Sequence, residues 1–350
     1  MPQADQLVGT FCGHRKGLLQ TRLCSILIVE GQRIGDLQAA LRREVFTEPL
    51  DGAAPAEIAR QISGGDGPAF LRVMEAKMSQ SSSGTPGWQL EGNAPLAYDT
   101  HIVDVFLQDY SRRLVEVAAI KPGDRVLDVA CGTGVVTRLA ANKIGSAGQV
   151  VGLDLNEGML AGARASHEAA AIEWRLGSAT DLPFADATFD CIICQHGLQF
   201  IPNKAAAVSE MHRVLADRGR TVISVWRSIE HCPWQAAIAD AVERNVGSEK
   251  AAQIRSAFSF GDADQLQQVI ATAGFRGVEI RIERETIRHA SLTEYVPGYI
   301  SATPVAAAVA GLDKEAQAKI TTDVRDALAA YRVGDGLAAP IEAHVGIGHR

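Results

Sequence analysis

From Tyr98 to Ala119 apolar residues recur at Val103, Phe106, Leu107, Tyr110, Leu114 and Val117, the spacing of one face of an α-helix. Lys121-Pro122-Gly123-Asp124 breaks that pattern. Short apolar runs then alternate with helical stretches. The runs at Arg125–Ala130, Gln149–Leu155, Ile172–Leu176, Phe189–Gln195, Arg220–Trp226 and Val278–Glu283 read as strands. Val135–Lys143, Asn156–Ala170, Lys204–Leu215 and Asp262–Ala273 read as helices, the last stopped by Gly274. Residues 290–339 look helical, and His344–Gly348 reads as a final strand. Strands that are apolar on both faces and alternate with helices predict an α/β fold with a doubly wound, parallel sheet.

Residues 1–77 lack this rhythm. They mix the apolar run Leu23–Val29, Gly/Asp/Pro patches and short helical stretches at Ile34–Val45 and Pro55–Ile62. Met78 to Gly87 is a polar, Ser/Gly-rich linker. The expected division is an N-terminal extension with linker over 1–87 and a folded domain over 88–350. A methionine opening a polar run suggests a native start at Met78, with a genuine extension as the equal alternative. Basic residues precede Leu23–Val29, but Glu30-Gly31-Gln32-Arg33 follows in place of a small-residue cleavage site. The run falls well short of the ~20 residues that span a bilayer, so no membrane span and a cytoplasmic location are expected.

The 350 residues are 47% apolar and 21% charged, which excludes a mainly disordered chain. A net charge of −7 without a Lys/Arg run gives no footprint for nucleic acid. Six cysteines do not form a disulfide framework. Cys191 and Cys194 make a CxxC, but on a strand residues three apart face opposite sides, with Cα atoms roughly 10 Å apart. Core packing is the expected role.

The candidate chemistry begins at Val126-Leu127-Asp128-Val129-Ala130-Cys131-Gly132-Thr133-Gly134, closing a strand and opening a helix, where α/β sheets bind ligands. Two features disagree with a dinucleotide site. Thr137 stands where the third glycine belongs, and Asp128 just ahead of the glycines would repel a pyrophosphate. A carboxylate there favours a cationic ligand such as S-adenosylmethionine, which carries an ammonium, a sulfonium and no phosphate. A second strand ends in Asp154, 20 residues beyond Gly134, where both carboxylate oxygens can hold ribose hydroxyls. That feature alone fits NAD equally well. Met159, one helical turn on, is placed to lie against adenine or to pack the helix on the sheet.

A third motif is Gly177-Ser178-Ala179-Thr180-Asp181-Leu182-Pro183-Phe184, followed by Phe189-Asp190, Gln195-His196-Gly197-Leu198-Gln199-Phe200 and Val214-Leu215. The three motifs in this order resemble a class I S-adenosylmethionine-dependent methyltransferase, in the branch of quinone C-methyltransferases and other small-molecule methyltransferases. The resemblance is firm over about 120–227, weaker over 88–119 and 260–289, and absent over 1–77. It implies a Rossmann-like sheet of about seven strands with the last antiparallel. It implies S-adenosylmethionine, with the loop from Asp128 through Ala130 and Gly132 to Gly134 under its methionine part. Ala130 replaces the first glycine. Asp154 then matches the ribose-binding acid and Leu155 the residue flanking adenine. Ser178 and Ala179 match the pair at the adenine edge, with Ser178 where an aspartate is common. Gln195 matches a position near the methionine moiety, and Tyr98 an aromatic that closes over the cofactor.

Methyl transfer from a sulfonium is an in-line displacement, and positioning supplies much of the catalysis. A base is needed only where the acceptor must lose a proton. His196 is the best-placed candidate, Trp226 a candidate wall of the acceptor pocket, and His212 and His231 weaker candidates. The chain has no [DN]-P-P-[YF], no Pro-Cys nucleophile pair and no G-x-S-x-G elbow, and Gln195-His196 replaces the acid of a magnesium-dependent catechol site, so no metal is expected. The segment 290–339, with Tyr295, Tyr299 and Tyr331, is expected to cap the sheet and set specificity. The reading is methyl transfer to a small-molecule acceptor. The rivals are a cofactor-binding regulator without activity and an NAD-dependent oxidoreductase. Nothing in the sequence indicates an oligomeric state.

Overall fold

The computed structural model describes residues 94–165 and 172–350. The stretches expected within 1–87 lie outside the described residues, as does the end of the helix expected at Asn156–Ala170. In chain order the elements are α1 (Ala94–Tyr98), a π-helical segment (Asp99–Leu107), α2 (Gln108–Val117), β1 (Arg125–Val129), α3 (Val135–Ile144), β2 (Gln149–Asp154), α4 (Glu157–Ala165), β3 (Ile172–Leu176) and β4 (Phe189–Gln195). There follow α5 (Lys204–Val214), β5 (Leu215–Trp226), α6 (Pro233–Asn245), α7 (Ser248–Arg255), α8 (Ala263–Thr272) and β6 (Arg276–His289). The last elements are α9 (Leu292–Ser301), α10 (Ala306–Ala310), α11 (Lys314–Ala327), β7 (Arg332–Val333) and β8 (Gly336–His349). Asn203, Asp262, Ser291 and Asp313 cap α5, α8, α9 and α11, each side chain accepting from the amide three residues on.

The sheet has eight strands in the order β3-β2-β1-β4-β5-β8-β6, with β7 paired to β8. Strands β1 to β5 are parallel, and β8 runs antiparallel between β5 and β6, as expected for the last strand. The order reverses between β1 and β4, which opens a crevice at their carboxyl ends. Alternation within the strands divides two cores. Leu127, Val129, Ile192, Cys194 and Ile223 pack beneath α5 and α8, while Val126, Val150, Cys191, Ile193 and Val222 pack beneath α2 and α3. Cys191 and Cys194 thus lie on opposite faces, both free, with burial pushing each thiol up to about 12.

The expected sheet of about seven strands holds, with an eighth in the two-residue β7, which Gly334-Asp335 turns back onto β8 with Val333 opposite Gly336. Two expectations are corrected. The segment 290–339 is helical only in part: α9, α10 and α11 end at Ala327, and β7 and the start of β8 follow. Strands β6 and β8 are far longer than Val278–Glu283 and His344–Gly348. β8 pairs with β5 only from Ala343 onward, yet with β6 from Leu337. The antiparallel β6–β8 pair therefore overhangs the sheet by roughly 20 Å. On this overhang sits a third core, in which Ile287, Leu337, Ala339 and Ile341 meet Trp234 and Ile238 of α6, Tyr295 and Tyr299 of α9, and Ile320 and Val324 of α11. Helices α6 and α7, unassigned from the sequence, belong to this cap. No helix of the described residues is long and apolar enough to cross a membrane.

Candidate active site

The loop from Ala130 to Gly134 turns at the carboxyl end of β1 with Ala130, Gly132 and Gly134 at φ +57°, +58° and +85°. Ala130 holds a left-handed conformation that costs an ordinary residue about 1–2 kcal/mol. Gly134 is required for a second reason, since a Cβ there would fall on the ring of Trp174 from β3. A Cβ on Gly152 would lie 2.6 Å from the same ring. Trp174 therefore props the loop from the sheet side, a role the sequence reading missed. Met159 packs against the loop as well, its methyl carbon 3.3 Å from where a Cβ on Gly132 would stand.

Three carboxylates surround the loop. Asp154, ending β2, accepts the Gly132 amide on Oδ2 and the Asn156 amide on Oδ1, both at 2.8 Å. Each oxygen keeps a further lone pair for a ligand. Asp128 is 1% exposed. Its Oδ2 accepts the Thr137 hydroxyl at 2.6 Å, the Thr137 amide faces the same carboxylate, and Oδ1 has no hydrogen-bond partner. Thr137, at the position of the missing third glycine, thus holds the acid of this site. Asp99, from the π-helical segment, accepts the Thr133 hydroxyl. Burial raises all three carboxyls and carries Asp128 to about 7. Arg138, itself lowered by burial, is the nearby cation and donates to the Thr133 carbonyl.

Gln195, ending β4, donates its amide to the Ser111 hydroxyl at 2.9 Å, and Ser111 donates to the Leu107 carbonyl at 2.8 Å. Its Oε1 is buried and unpartnered. This side chain ties the leading helix to the sheet where the helix changes register, with the Gln108 amide bonding Val103 five residues back. Tyr98 lies within electrostatic reach of Asp99 and Asp154, and burial pushes its phenol above the usual range. Leu155 is 66% exposed beside Asp154, an apolar surface open at the strand end. Ser178 turns into its own loop, its hydroxyl 2.8 Å from that of Thr180. Ala179 is buried. A clamp from α5 fixes this loop: Glu210 accepts the Leu182 amide, and Arg213 donates to the carbonyls of Leu182 and Phe184.

His196 follows β4 at φ +49° and stacks on Trp226, ring centroids 3.6 Å apart and planes 8° from parallel. Neither ring nitrogen has a partner, and burial pushes the imidazole down to about 3. At neutral pH the ring is neutral and a weak proton acceptor. The structure brings together Tyr98, Asp128, Ala130, Gly132, Gly134, Asp154, Leu155, Met159 and Gln195 around one crevice, with His196 and Trp226 beyond Gln195. It takes His212 and His231 away. His212 packs edge-on against Phe275 beneath the sheet, and His231 lies on the rim 3.8 Å from Glu342. Among the described residues no cluster of His, Cys, Asp and Glu is arranged to hold a metal ion.

The sequence profile of the family described as "Methyltransferase domain" matches residues 126–219. The 2-phytyl-1,4-naphtoquinone methyltransferase of Synechococcus elongatus is 42% identical over 118 residues, 33% of this chain and 51% of the relative. The demethylmenaquinone methyltransferase of Staphylococcus carnosus is 31% identical over 183 residues, 49% of this chain and 76% of the relative. The solved structure of phosphoethanolamine N-methyltransferase 2 from Haemonchus contortus is 17% identical, with a TM-score of 0.47 over 73% of this chain and 56% of that one. The chain spans about half the length of the first curated relatives it matches.

Proposed function

The chain belongs to the class I S-adenosylmethionine-dependent methyltransferases, and from that premise we propose that it transfers a methyl group to a small-molecule acceptor in the crevice between β1 and β4. The observation that carries this reading is the pair of unpartnered acceptor atoms, Asp128 Oδ1 and Gln195 Oε1, on neighbouring strands beside the glycine loop. Buried acceptors in a pocket with three carboxylates match a ligand bearing an ammonium and a sulfonium. Asp154 holds the ribose hydroxyls through its spare lone pairs, Leu155 and Met159 border the adenine, and the loop at Ser178 and Ala179 lies at its edge. Tyr98 closes the crevice from above.

Bound there, S-adenosylmethionine supplies an activated methyl group on a sulfonium. The chain's own residues orient the two reactants and exclude water, the main demands of an in-line displacement. His196, neutral and wedged against Trp226, orients the acceptor by hydrogen bonding rather than by taking its proton. The names of the relatives, which include a phytyl-naphthoquinone and a demethylmenaquinone methyltransferase, put ring-bearing acceptors first. A cytoplasmic location belongs to the same reading and is supported by the four free, buried cysteines of the described residues.

The test is calorimetric titration of S-adenosylhomocysteine into the full chain, followed by turnover with methyl-labelled S-adenosylmethionine and a panel of quinols, phenols and amines. Micromolar binding lost in Asp154→Ala, with label in one acceptor class, is expected. Binding without turnover on any acceptor would favour a regulator, and nicotinamide cofactor binding would overturn the reading.

A further inference from the structure

Beyond His196 the carboxyl edge of the sheet is roofed by aromatic side chains in unbroken contact. Trp226 lies 6.1 Å from Phe106, Phe106 5.6 Å from Trp234, and Trp234 5.3 Å from Tyr295 and 4.5 Å from Tyr299. The roof adjoins the cofactor crevice. Tyr299 lies within electrostatic reach of Tyr98, and a Cβ on Gly298 of α9 would stand 2.5 Å from His101 of the π-helical segment. Trp234 and Tyr295 are each 1% exposed, yet the indole Nε1 and the phenol hydroxyl have no hydrogen-bond partner. Buried donors without partners are rare in native proteins. Here two stand in one aromatic wall, and His196 at its far end also lacks partners. His289 stacks on Tyr295 at 4.8 Å, and among the described residues no Lys, Arg, Asp or Glu side chain takes part in the ring contacts of this wall.

We propose that α6 and α9 form the upper wall of the acceptor site, where the Trp234 N–H and the Tyr295 hydroxyl donate to an oxygen of a compact, uncharged aromatic acceptor. The inference rests on the methyltransferase reading and departs from the phytyl-bearing acceptor in the names of several relatives. A phytyl chain needs an apolar path to the surface. The large apolar side chains exposed among the described residues are Leu96, Leu155, Leu176, Ile282 and Val333, none of them in the cap helices. The cap's own Val296, Tyr299 and Ile300 are buried. Specificity then comes from oxygen recognition, since a site built to hydrogen-bond a ligand oxygen rejects the analogue lacking it.

The test uses the full chain saturated with S-adenosylhomocysteine and titrated anaerobically with naphthalene-1,4-diol, 1-naphthol and 2-phytyl-naphthalene-1,4-diol. The diol is expected to bind, loss of one ligand oxygen to weaken wild-type binding about tenfold, and the phytyl compound to bind at least about tenfold more weakly than the diol. In Tyr295→Phe or Trp234→Phe, the diol and 1-naphthol should converge to within about twofold while S-adenosylhomocysteine binds as in wild type. Tyr295→Phe removes one oxygen and keeps the ring, so it leaves the cap's packing in place. Unchanged preference for the diol in both variants, or equal binding of the phytyl compound, would overturn the proposal. So would failure of every ring to bind while S-adenosylhomocysteine does, which leaves the methyltransferase reading standing. Failure of S-adenosylhomocysteine to bind the folded chain would take both down.

Discussion

Replacing Asp128 by asparagine tests the electrostatics of the site without touching its shape. The carboxyl is 1% exposed, and burial carries it from 3.8 to about 7. The unfolded chain releases this proton near pH 4, and the folded chain keeps it until about pH 7. Between those values the unfolded state binds fewer protons, so stability falls as pH rises. At about 1.36 kcal/mol for each pH step between those two values, this one group costs about 4 kcal/mol of stability, fully developed above pH 7. The substituted amide has no proton to lose, and its carbonyl still accepts the Thr137 hydroxyl. Urea unfolding of both proteins from pH 4 to pH 8 gives the measure. The stability difference, Asp128→Asn minus wild type, should move by about 4 kcal/mol in favour of the variant across that range. A difference constant to within about 1 kcal/mol would refute the picture of a buried carboxyl with one oxygen left without a partner. Ligand binding reports the same group. Affinity of the wild type for S-adenosylhomocysteine should tighten about tenfold from pH 6 to pH 8 as the acid ionises beside the ligand's ammonium, and Asp128→Asn should show no such trend.

Other expectations follow from single contacts. Asp154→Ala removes a carboxylate that holds the Gly132 and Asn156 amides as well as the ribose, and should weaken S-adenosylhomocysteine about 100-fold by calorimetry. Gly134→Ala places a methyl group on the Trp174 ring at φ +85° and should destabilise by about 2–4 kcal/mol. The double variant with Trp174→Ala should behave non-additively in urea unfolding, because the steric part of the Gly134→Ala cost disappears with the ring. With His196 held near pKa 3, kcat/KM on the identified acceptor should show no ionisation near pH 6.5 that His196→Asn removes.

What the sequence disclosed and what it hid divide along one line. The strand ends at Asp128, Asp154 and Gln195 were legible because each closes a local apolar run beside a turn. Opposite facing of Cys191 and Cys194 followed from strand period alone. In the sequence Thr137 reads only as an absent glycine, since its bond to Asp128 forms across a loop and a helix turn. The sequence shows no strand beyond Glu283 because the apolar alternation of β6, Val278, Ile280 and Ile282, gives way to a charged stretch and resumes out of phase at Ile287. Early β8 is rich in alanine and contains Pro340, which strands disfavour. Pro340 is tolerated because β8 there has passed the end of β5, so the side left without an N–H meets no ladder. The π-helical register and the fit of Gly298 to His101 depend on packing between distant segments, which no periodicity records.

The place of β8 in the sheet carries a kinetic consequence. The strand that seals β5 against β6 is the last described element of the chain. While roughly 120 residues after Trp226 are synthesised, at about 5–20 per second, the outer edge of β5 stays unpaired for several seconds or more. Val222, Ile223 and Val225 lie along that edge, an apolar template for strands of other nascent chains. A nascent chain stalled before Ala343 would therefore hold an intact glycine loop and still demand chaperone protection, and the yield of soluble protein should depend more on the stretch of β8 from Ala343 to His349 than on any residue of the crevice.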